Sequence, residues 1–316
     1  MRDVLTVTLN PALDFATEVD GVVPGLKLRC DAPLSDPGGG GINVSRAIAL
    51  LGGHSRTFAV LNGGTGARMA QLLTETGHHL ITFSGAPETR QSLAVIDRLT
   101  GVQYRFMLPG PDWPEGVDAL ATQRIVAESH PGSIVVLSGS LPPGCPDSIL
   151  PELCNKLAAK DVAVIVDTSG AALTHMTSPH GCTRPMVLRM NQTEADELAG
   201  HKLHKLIDTA DFASSLVEKG VADIAIVARG PEGSILASKD QRLHSAAAEV
   251  PVRSRVGAGD SFVGGFTLAY AQGKSLGEAL TCGVAAGSAA VMTDGTALCR
   301  PEDYEKLIPI CPAKPI

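Results

Sequence analysis

Residues 134–166 read IVVLSGSLPPGCPDSILPELCNKLAAKDVAVIV. The two ends of this stretch, Ile134–Leu137 and Val162–Val166, are short runs of Val, Ile and Leu with almost no polar interruption. Runs that are apolar on both faces suit strands covered on both sides, as in a parallel sheet. Pro146–Lys160 between them reads as a helix, so the stretch is one strand–helix–strand crossover unit. The same alternation extends in both directions. Val4–Leu9, Met186–Met190 and Ile224–Val227 are further strands, and Asn43–Leu51, Gly66–Thr76, Gln123–Glu128, Gln192–Gly200, Asp208–Lys219, Asp260–Gln272 and Ser275–Met292 read as helices. The pattern predicts a doubly wound α/β core.

Two regions interrupt it, roughly 12–36 and 88–108. In the second, the alternating segments Ser92–Arg98 and Gln103–Leu108 flank the turn Leu99–Val102. Both regions are expected to form antiparallel strands outside the main sheet. A few isolated strands bury too little surface to stand alone, so they are expected to form a small β lid packed over a site or against a second subunit. The tail from Leu307, with prolines at 309, 312 and 315, is expected to fray.

Of the 316 residues, 44% are hydrophobic and 19% charged, which describes a globular chain able to bury a sizeable core. A net charge of −7, with only seven Phe, three Tyr and one Trp, argues against nucleic acid as the main partner. No run approaches the roughly 18 consecutive apolar residues of a membrane-spanning helix. The first residues carry Asp3 and Asp14 where a secretory leader would be uncharged, so a cytoplasmic protein is expected. Seven cysteines, at 30, 145, 154, 182, 282, 299 and 311, form no CxxC pair and are expected to be reduced structural thiols.

Two glycine-rich loops carry the chemistry. Gly38-Gly39-Gly40-Gly41 precedes a helix, and four glycines leave backbone amides open to a ligand. Gly257-Ala258-Gly259-Asp260-Ser261-Phe262 opens a second helix with Gly264 and Gly265 in its first turns. Amides at a helix start bind anions, so this loop is a candidate phosphate cradle. Asp260 could merely cap the helix, an effect worth about 0.5 kcal/mol. Beside an anion hole, however, a carboxylate can orient a hydroxyl and accept its proton as it attacks a phosphoryl group. The helix terminus is expected to lower its pKa. Other motifs fail on single residues. A dinucleotide fingerprint would need Gly at Phe262 or Met69, a Walker A loop Gly at Leu268, and a nucleophile elbow Gly at Val263.

The paired motifs GGGGINVSRA (38–47) and VGAGDSFVGG (256–265) resemble those of the ribokinase-like PfkB carbohydrate kinases. Supporting segments are Thr8–Asp14, Lys27–Cys30, Thr89–Gln91, Gln103–Phe106, Ser138–Gly144 and Asn191–Glu194. Within the family the sequence is similar to the sugar-phosphate branch that contains the minor-type 6-phosphofructokinases. The resemblance implies one kinase domain over 1–316, a three-layer α/β/α core with a β lid, ATP and Mg²⁺ as cofactors, and a homodimer joined through the lids. It implies Asp260 as catalytic base and the amides of Gly257, Ala258 and Gly259 as anion hole. For the substrate it implies Asp14, Gly39, Gly40, Asn43 and Ser138, with Lys27, Arg90 and Arg105 as cations for a phosphorylated sugar. For the nucleotide it implies Arg189, Asn191, Glu194, Arg229, Gly230, Gly233, Val284 and Ser288, with Glu194 organising Mg²⁺ through water. A K⁺ ion is implied near Ser254, Val256 and Gly295.

Gly40 stands where 1-phosphofructokinases and tagatose-6-phosphate kinases usually carry lysine, which makes fructose 6-phosphate the expected acceptor. Those two kinases are the alternatives, followed by a non-catalytic sugar-phosphate sensor. The sequence departs from the family at Arg189-Met190 (usually Lys-Pro), at Ser254-Arg255-Val256 (often Asp-Thr-Thr) and at Ala297 (often Arg). His201 and His204 lack a third ligand nearby and read as a surface helix end. Cys30 and Cys299 read as small buried hydrophobes. Thr168-Ser169 could meet the nucleotide or cap a turn.

Overall fold

The computed structural model describes residues 1–178 and 184–316; Cys182 lies outside them. Its strands, in chain order, are β1 (Val4–Thr8), β2 (Ala12–Val19), β3 (Leu34–Gly38), β4 (Arg56–Val60), β5 (His79–Phe83), β6 (Arg90–Asp97), β7 (Gln103–Met107), β8 (Ile134–Ser138), β9 (Ala163–Asp167), β10 (Val187–Asn191), β11 (Ile224–Ala228), β12 (Ser234–Ser238), β13 (Arg242–Ser245) and β14 (Lys314–Pro315). Its helices are α1 (Gly40–Leu50), α2 (Gly63–Glu75), α3 (Val117–Glu128), α4 (Ile149–Ala158), α5 (Gly170–Thr177), α6 (Gln192–Ala199), α7 (Leu206–Glu218), α8 (Ala258–Ala271), α9 (Leu276–Ala290) and α10 (Pro301–Leu307).

Ten strands form the main sheet in the order β14-β13-β12-β11-β10-β9-β8-β1-β4-β5. The pairs from β11 through β5 are parallel, and β12, β13 and β14 add antiparallel at one edge. Side chains alternate across each strand, so both faces need cover. In β8, Val135 and Leu137 enter a core shared with α3 to α7, while Ile134 and Val136 enter a second core shared with α1, α8, α9 and α10. This is the three-layer arrangement expected of the apolar runs.

Small residues set the spacing on the second face. A Cβ on Gly264 would come within 2.7 Å of the Ala47 Cβ, and one on Gly265 within 2.7 Å of the Cys282 carbonyl oxygen. Helices α1, α8 and α9 therefore approach more closely than larger residues would permit, which brings the first turns of α1 and α8 together.

The separate sheet has the order β3-β2-β6-β7. Its central pair, β2 with β6, is parallel, which corrects the expectation of an all-antiparallel lid. The chain leaves the lid after β3, builds α1 to β5, and returns, a crossover that parallel pairing requires. The carboxyl tail is also ordered rather than frayed. Residue Ala313 donates its amide to Thr281 Oγ1 at 2.9 Å, Ser245 Oγ donates to the Cys311 carbonyl at 2.7 Å, and β14 completes the sheet edge. Cys311 and Cys299 are buried, whereas Cys30 is exposed on the segment between β2 and β3, not packed as expected. Among the described residues no helix is long and apolar enough to cross a membrane.

Candidate active site

Gly257 adopts φ +74° as the N-cap of α8, and a Cβ there would lie 2.5 Å from Leu298 Cδ2. Glycine is thus required both for the left-handed turn and for the contact. The next amides have no partner within the helix and point out of its start. Asp260 stands in that first turn. Asn43, in the first turn of α1, donates Nδ2 to Asp260 Oδ2 at 2.9 Å. Arg46, one turn on, donates to Asn43 Oδ1 at 3.3 Å and to the Pro37 carbonyl at 3.1 Å, which fixes the orientation of the Asn43 amide. Burial, and then the neighbouring Asp167 charge, push the Asp260 carboxyl up to about 6, against the opposing pull of Asn43, Arg189 and Arg46. The expected lowering by the helix terminus is reversed, because desolvation and a second carboxylate outweigh a partial dipole charge.

On one side of this carboxylate lies a cleft of about 390 Å³. Arg189, Asn191, Gly230, Gly233, Val284 and Ser288 line it as the sequence led one to expect, together with Ala258, Gly259 and Phe262. Part of its wall is apolar, formed by residues such as Ala247, Val250 and Val284, and Ser288 Oγ accepts from the Ala248 amide at 3.3 Å. Arg189, on β10, pairs at 3.0 Å with Asp167, its register partner at the end of β9, and its guanidinium lies 5.8 Å from the Phe262 ring centre. Burial works against this cation, and the Asp167, Asp260 and Glu194 carboxylates more than compensate, holding it firmly protonated.

Asn191 and Glu194 form a capping box. Asn191 Oδ1 accepts from the Glu194 amide at 3.0 Å, and Glu194 Oε2 accepts from the Asn191 amide at 2.8 Å. The NxxE spacing therefore first serves to start α6. One Glu194 oxygen remains outside this box, and burial raises the carboxyl's pKa. Arg229 departs from expectation. It does not line the cleft; its guanidinium, 3% exposed, is ion-paired with Glu232 at 2.8 Å and donates to the carbonyls of Leu203 and His204, to Gln192 and to Thr209. Bonds to the segment between α6 and α7 satisfy it, leaving no free cation for a phosphate.

On the other side of Asp260 lies the lid. Strand register puts Asp14, Asp36, Arg90, Ser92, Ala94 and Arg105 on one face. Ser92 donates its hydroxyl to Asp14, and Thr296 donates to Asp36 at 2.7 Å, tying the lid to the loop after α9. Burial raises the Asp14 pKa and Asp36 adds to it, against Ser92, Arg90 and Arg105. Asp14, Ser92, Arg105, Val256, Gly295 and Thr296 line a narrow crevice beside the start of α8. Arg90 donates to the carbonyl and side chain of Asn10, and burial lowers its pKa. Lys27 is exposed in the segment between β2 and β3, and no bond of it to the lid strands is seen among the described residues.

The glycine run lies between crevice and sheet. Gly39 has φ +123°, with Thr8 Cγ2 only 2.6 Å from where a Cβ would be. A Cβ on Gly40 would lie 2.3 Å from Ser138 Oγ and 2.6 Å from the Gly139 amide nitrogen. Ser138 is buried, and Thr168 donates its hydroxyl to the Gly139 carbonyl at 3.0 Å. Ser254 Oγ donates to the Gly295 carbonyl at 2.9 Å and accepts from the Val256 amide at 3.1 Å, so these three residues do converge. His201 and His204 are exposed beyond α6.

Sequence reasoning missed Asp167, Arg46, Asp36 and Ser92. Asp167 carried a signal, since ligands of α/β sheets gather at the carboxyl ends of strands. Arg46 follows Asn43 at the i+3 spacing that shares a helix face. Asp36 and Ser92 gave none, because their place beside Asp14 depends on lid register.

Residues 7–303 match the profile of the pfkB family carbohydrate kinases. The chain is 38% identical over 307 residues to ATP-dependent 6-phosphofructokinase isozyme 2 of Escherichia coli (strain K12), covering 97% of this chain and 98% of that protein. It is 35% identical over 303 residues to the enzyme of the same name from Mycobacterium tuberculosis (strain H37Rv), covering 96% and 88%. The fold superposes with a TM-score of 0.90 on the crystal structure of phosphofructokinase-2 from Escherichia coli in complex with fructose-6-phosphate, at 36% identity over 98% of this chain and 99% of that one. An amide-lined helix start, a partly buried carboxylate and a cleft beside the carboxyl ends of β10 and β11 are thus found in a phosphotransferase scaffold, and the chain belongs to the pfkB family of carbohydrate kinases.

Proposed function

We propose that the protein transfers the γ-phosphoryl group of ATP to the 1-hydroxyl of fructose 6-phosphate, giving fructose 1,6-bisphosphate and ADP. The observation that carries this reading is Asp260: a carboxyl pushed up to about 6, held by Asn43 at 2.9 Å, at an amide-lined helix start between the cleft and the lid. Such a carboxylate is ionised at neutral pH yet basic enough to take the hydroxyl proton as the bond to phosphorus forms. The amides of Gly257, Ala258 and Gly259 stabilise charge on the transferring group.

The cleft fits a nucleotide, with apolar wall from Ala247, Val250 and Val284 to take the base and Arg189, Asn191 and the α8 amides to take the phosphates. Glu194 fits Mg²⁺ held through water, since its half-buried carboxyl binds protons more tightly than usual and keeps one oxygen outside the capping box. Mg²⁺ there supplies neutralisation of phosphate charge. Ser254, Val256 and Gly295 are the place for a monovalent cation such as K⁺, which replacing potassium with tetramethylammonium in the assay tests.

In the lid, Arg90 and Arg105 take the phosphate the sugar already carries, while Asp14, Gly39 and Asn43 hold its hydroxyls. Closure of the lid excludes water and so limits wasteful hydrolysis of ATP. Gly40 supports fructose 6-phosphate over fructose 1-phosphate, because the lysine usual in kinases of the latter has no room against Ser138 and Gly139. The opposite lid face exposes Leu93, Tyr104 and Phe106, which supports a homodimer through the lids. The test is ADP release with Mg·ATP and, in parallel, fructose 6-phosphate, fructose 1-phosphate, tagatose 6-phosphate and fructose. The highest kcat/KM belongs to fructose 6-phosphate; preference for another phosphosugar keeps the mechanism and discards the acceptor, and no turnover with any acceptor points to a sensor.

A further inference from the structure

Two cationic side chains line the nucleotide cleft among the described residues, Arg189 and Arg255. Arg189 pairs with Asp167 through one nitrogen at 3.0 Å and lies over Phe262, while its Nε has no partner among the described residues. Arg229 is buried in bonds to the segment between α6 and α7. Arg255 differs from both, being exposed at the cleft wall with no hydrogen bond or ion pair to any described residue. Glu249 is the one acidic side chain that shares the cleft wall, and no ion pair joins it to Arg255.

The backbone that carries Arg255 is anchored. Ser254 before it bonds to the Gly295 carbonyl, the Val256 amide after it bonds back to Ser254, and Arg253 pairs with Asp294 at 2.9 Å. Two residues later, Gly257 begins the turn that opens α8. A long, uncommitted guanidinium is therefore planted two residues before the anion-binding amides, on the wall of the same cleft. Guanidinium is charged at every working pH and its donor fork matches phosphate oxygens two at a time.

We propose that Arg255 grips the terminal phosphates of the nucleotide, adding to Arg189 the free cation that Arg229 does not offer. The inference rests on the reading of this cleft as the nucleotide site. Because Arg255 makes no bond to any described residue, its removal leaves the thermal unfolding midpoint of the ligand-free protein unchanged.

The experiment titrates ATP, ADP and adenosine by calorimetry, without sugar, into the wild type, Arg255→Ala and Arg255→Lys. ATP binding to Arg255→Ala weakens roughly tenfold or more, the size of a charge-assisted bond lost. Adenosine binding stays unchanged, and Arg255→Lys recovers part of the ATP affinity by retaining the charge without the fork. Equal ATP affinity in wild type and Arg255→Ala overturns the inference, as does an equal loss for adenosine, which would put Arg255 on the base. A wild type that binds no nucleotide overturns the kinase reading itself, a result distinct from either.

Discussion

Asn43 and Asp260, 217 residues apart in the chain, meet through a 2.9 Å hydrogen bond between the first turns of two helices. The contact exists because Gly264 lets α8 lie against Ala47 of α1. If that carboxylate is the base, Asp260→Asn lowers kcat by about 10²–10⁴-fold while sugar-phosphate affinity changes little. Turnover near the wild-type rate would remove Asp260 from that role.

The raised pKa also has a stability consequence. Asp260 titrates near 6 in the fold against about 3.8 when free, so between these values the native state holds the proton more tightly than the unfolded chain. Its contribution to stability is full below about pH 4 and falls as pH rises to about 6. Asp260→Asn, neutral throughout, escapes this loss. Its thermal midpoint relative to wild type should climb across that window and level off above it; a constant offset from pH 4 to pH 8 would mean that the carboxyl titrates normally. Activity runs the other way, and kcat/KM should rise through about pH 6 as the base ionises.

The two lid arginines should separate in their effects. Arg90 and Arg105 each raise the sugar-phosphate KM when changed to Ala, by roughly tenfold or more for a lost charge-assisted bond. Only Arg90→Ala should also lower the thermal midpoint, since Arg90 is tied to Asn10 while Arg105 is exposed. An unchanged KM in either variant would assign that cation to the surface.

Arg229→Ala tests the correction made by the fold. Removing it strands the Leu203 and His204 carbonyls and Thr209, a loss on the order of 3 kcal/mol of stability. In the fraction that stays folded, ATP affinity should equal that of wild type. A selective loss of ATP binding with full stability would restore Arg229 to the nucleotide site.

The layers were legible in sequence because buried parallel strands announce themselves: Ile134–Leu137 and Val162–Val166 have no polar face to confuse with anything else. The helix-opening glycines of α8 were legible for a similar reason, since Gly257 meets a backbone need that few other residues satisfy. What escaped depends on distant pairing. The parallel register of β2 with β6 decides which residues join Asp14, and nothing local to either strand encodes it. Arg229 was misjudged because its neighbourhood in sequence is the cleft-lining Gly230 and Gly233, whereas its side chain turns toward a loop more than twenty residues earlier. The Asp260 pKa was misjudged because the burial that raises it, and after it the Asp167 carboxylate at the end of β9, come from tertiary packing that the local sequence does not encode.

The central claim is that this chain phosphorylates the 1-hydroxyl of fructose 6-phosphate at the expense of ATP. It is tested most directly by ³¹P nuclear magnetic resonance of a reaction containing the protein, Mg·ATP and fructose 6-phosphate. The account predicts a new phosphomonoester signal at C1 that grows in step with ADP, and neither signal in the Asp260→Asn control over the same time. Release of ADP with inorganic phosphate and no new sugar ester, or a product phosphorylated at another hydroxyl, would contradict it.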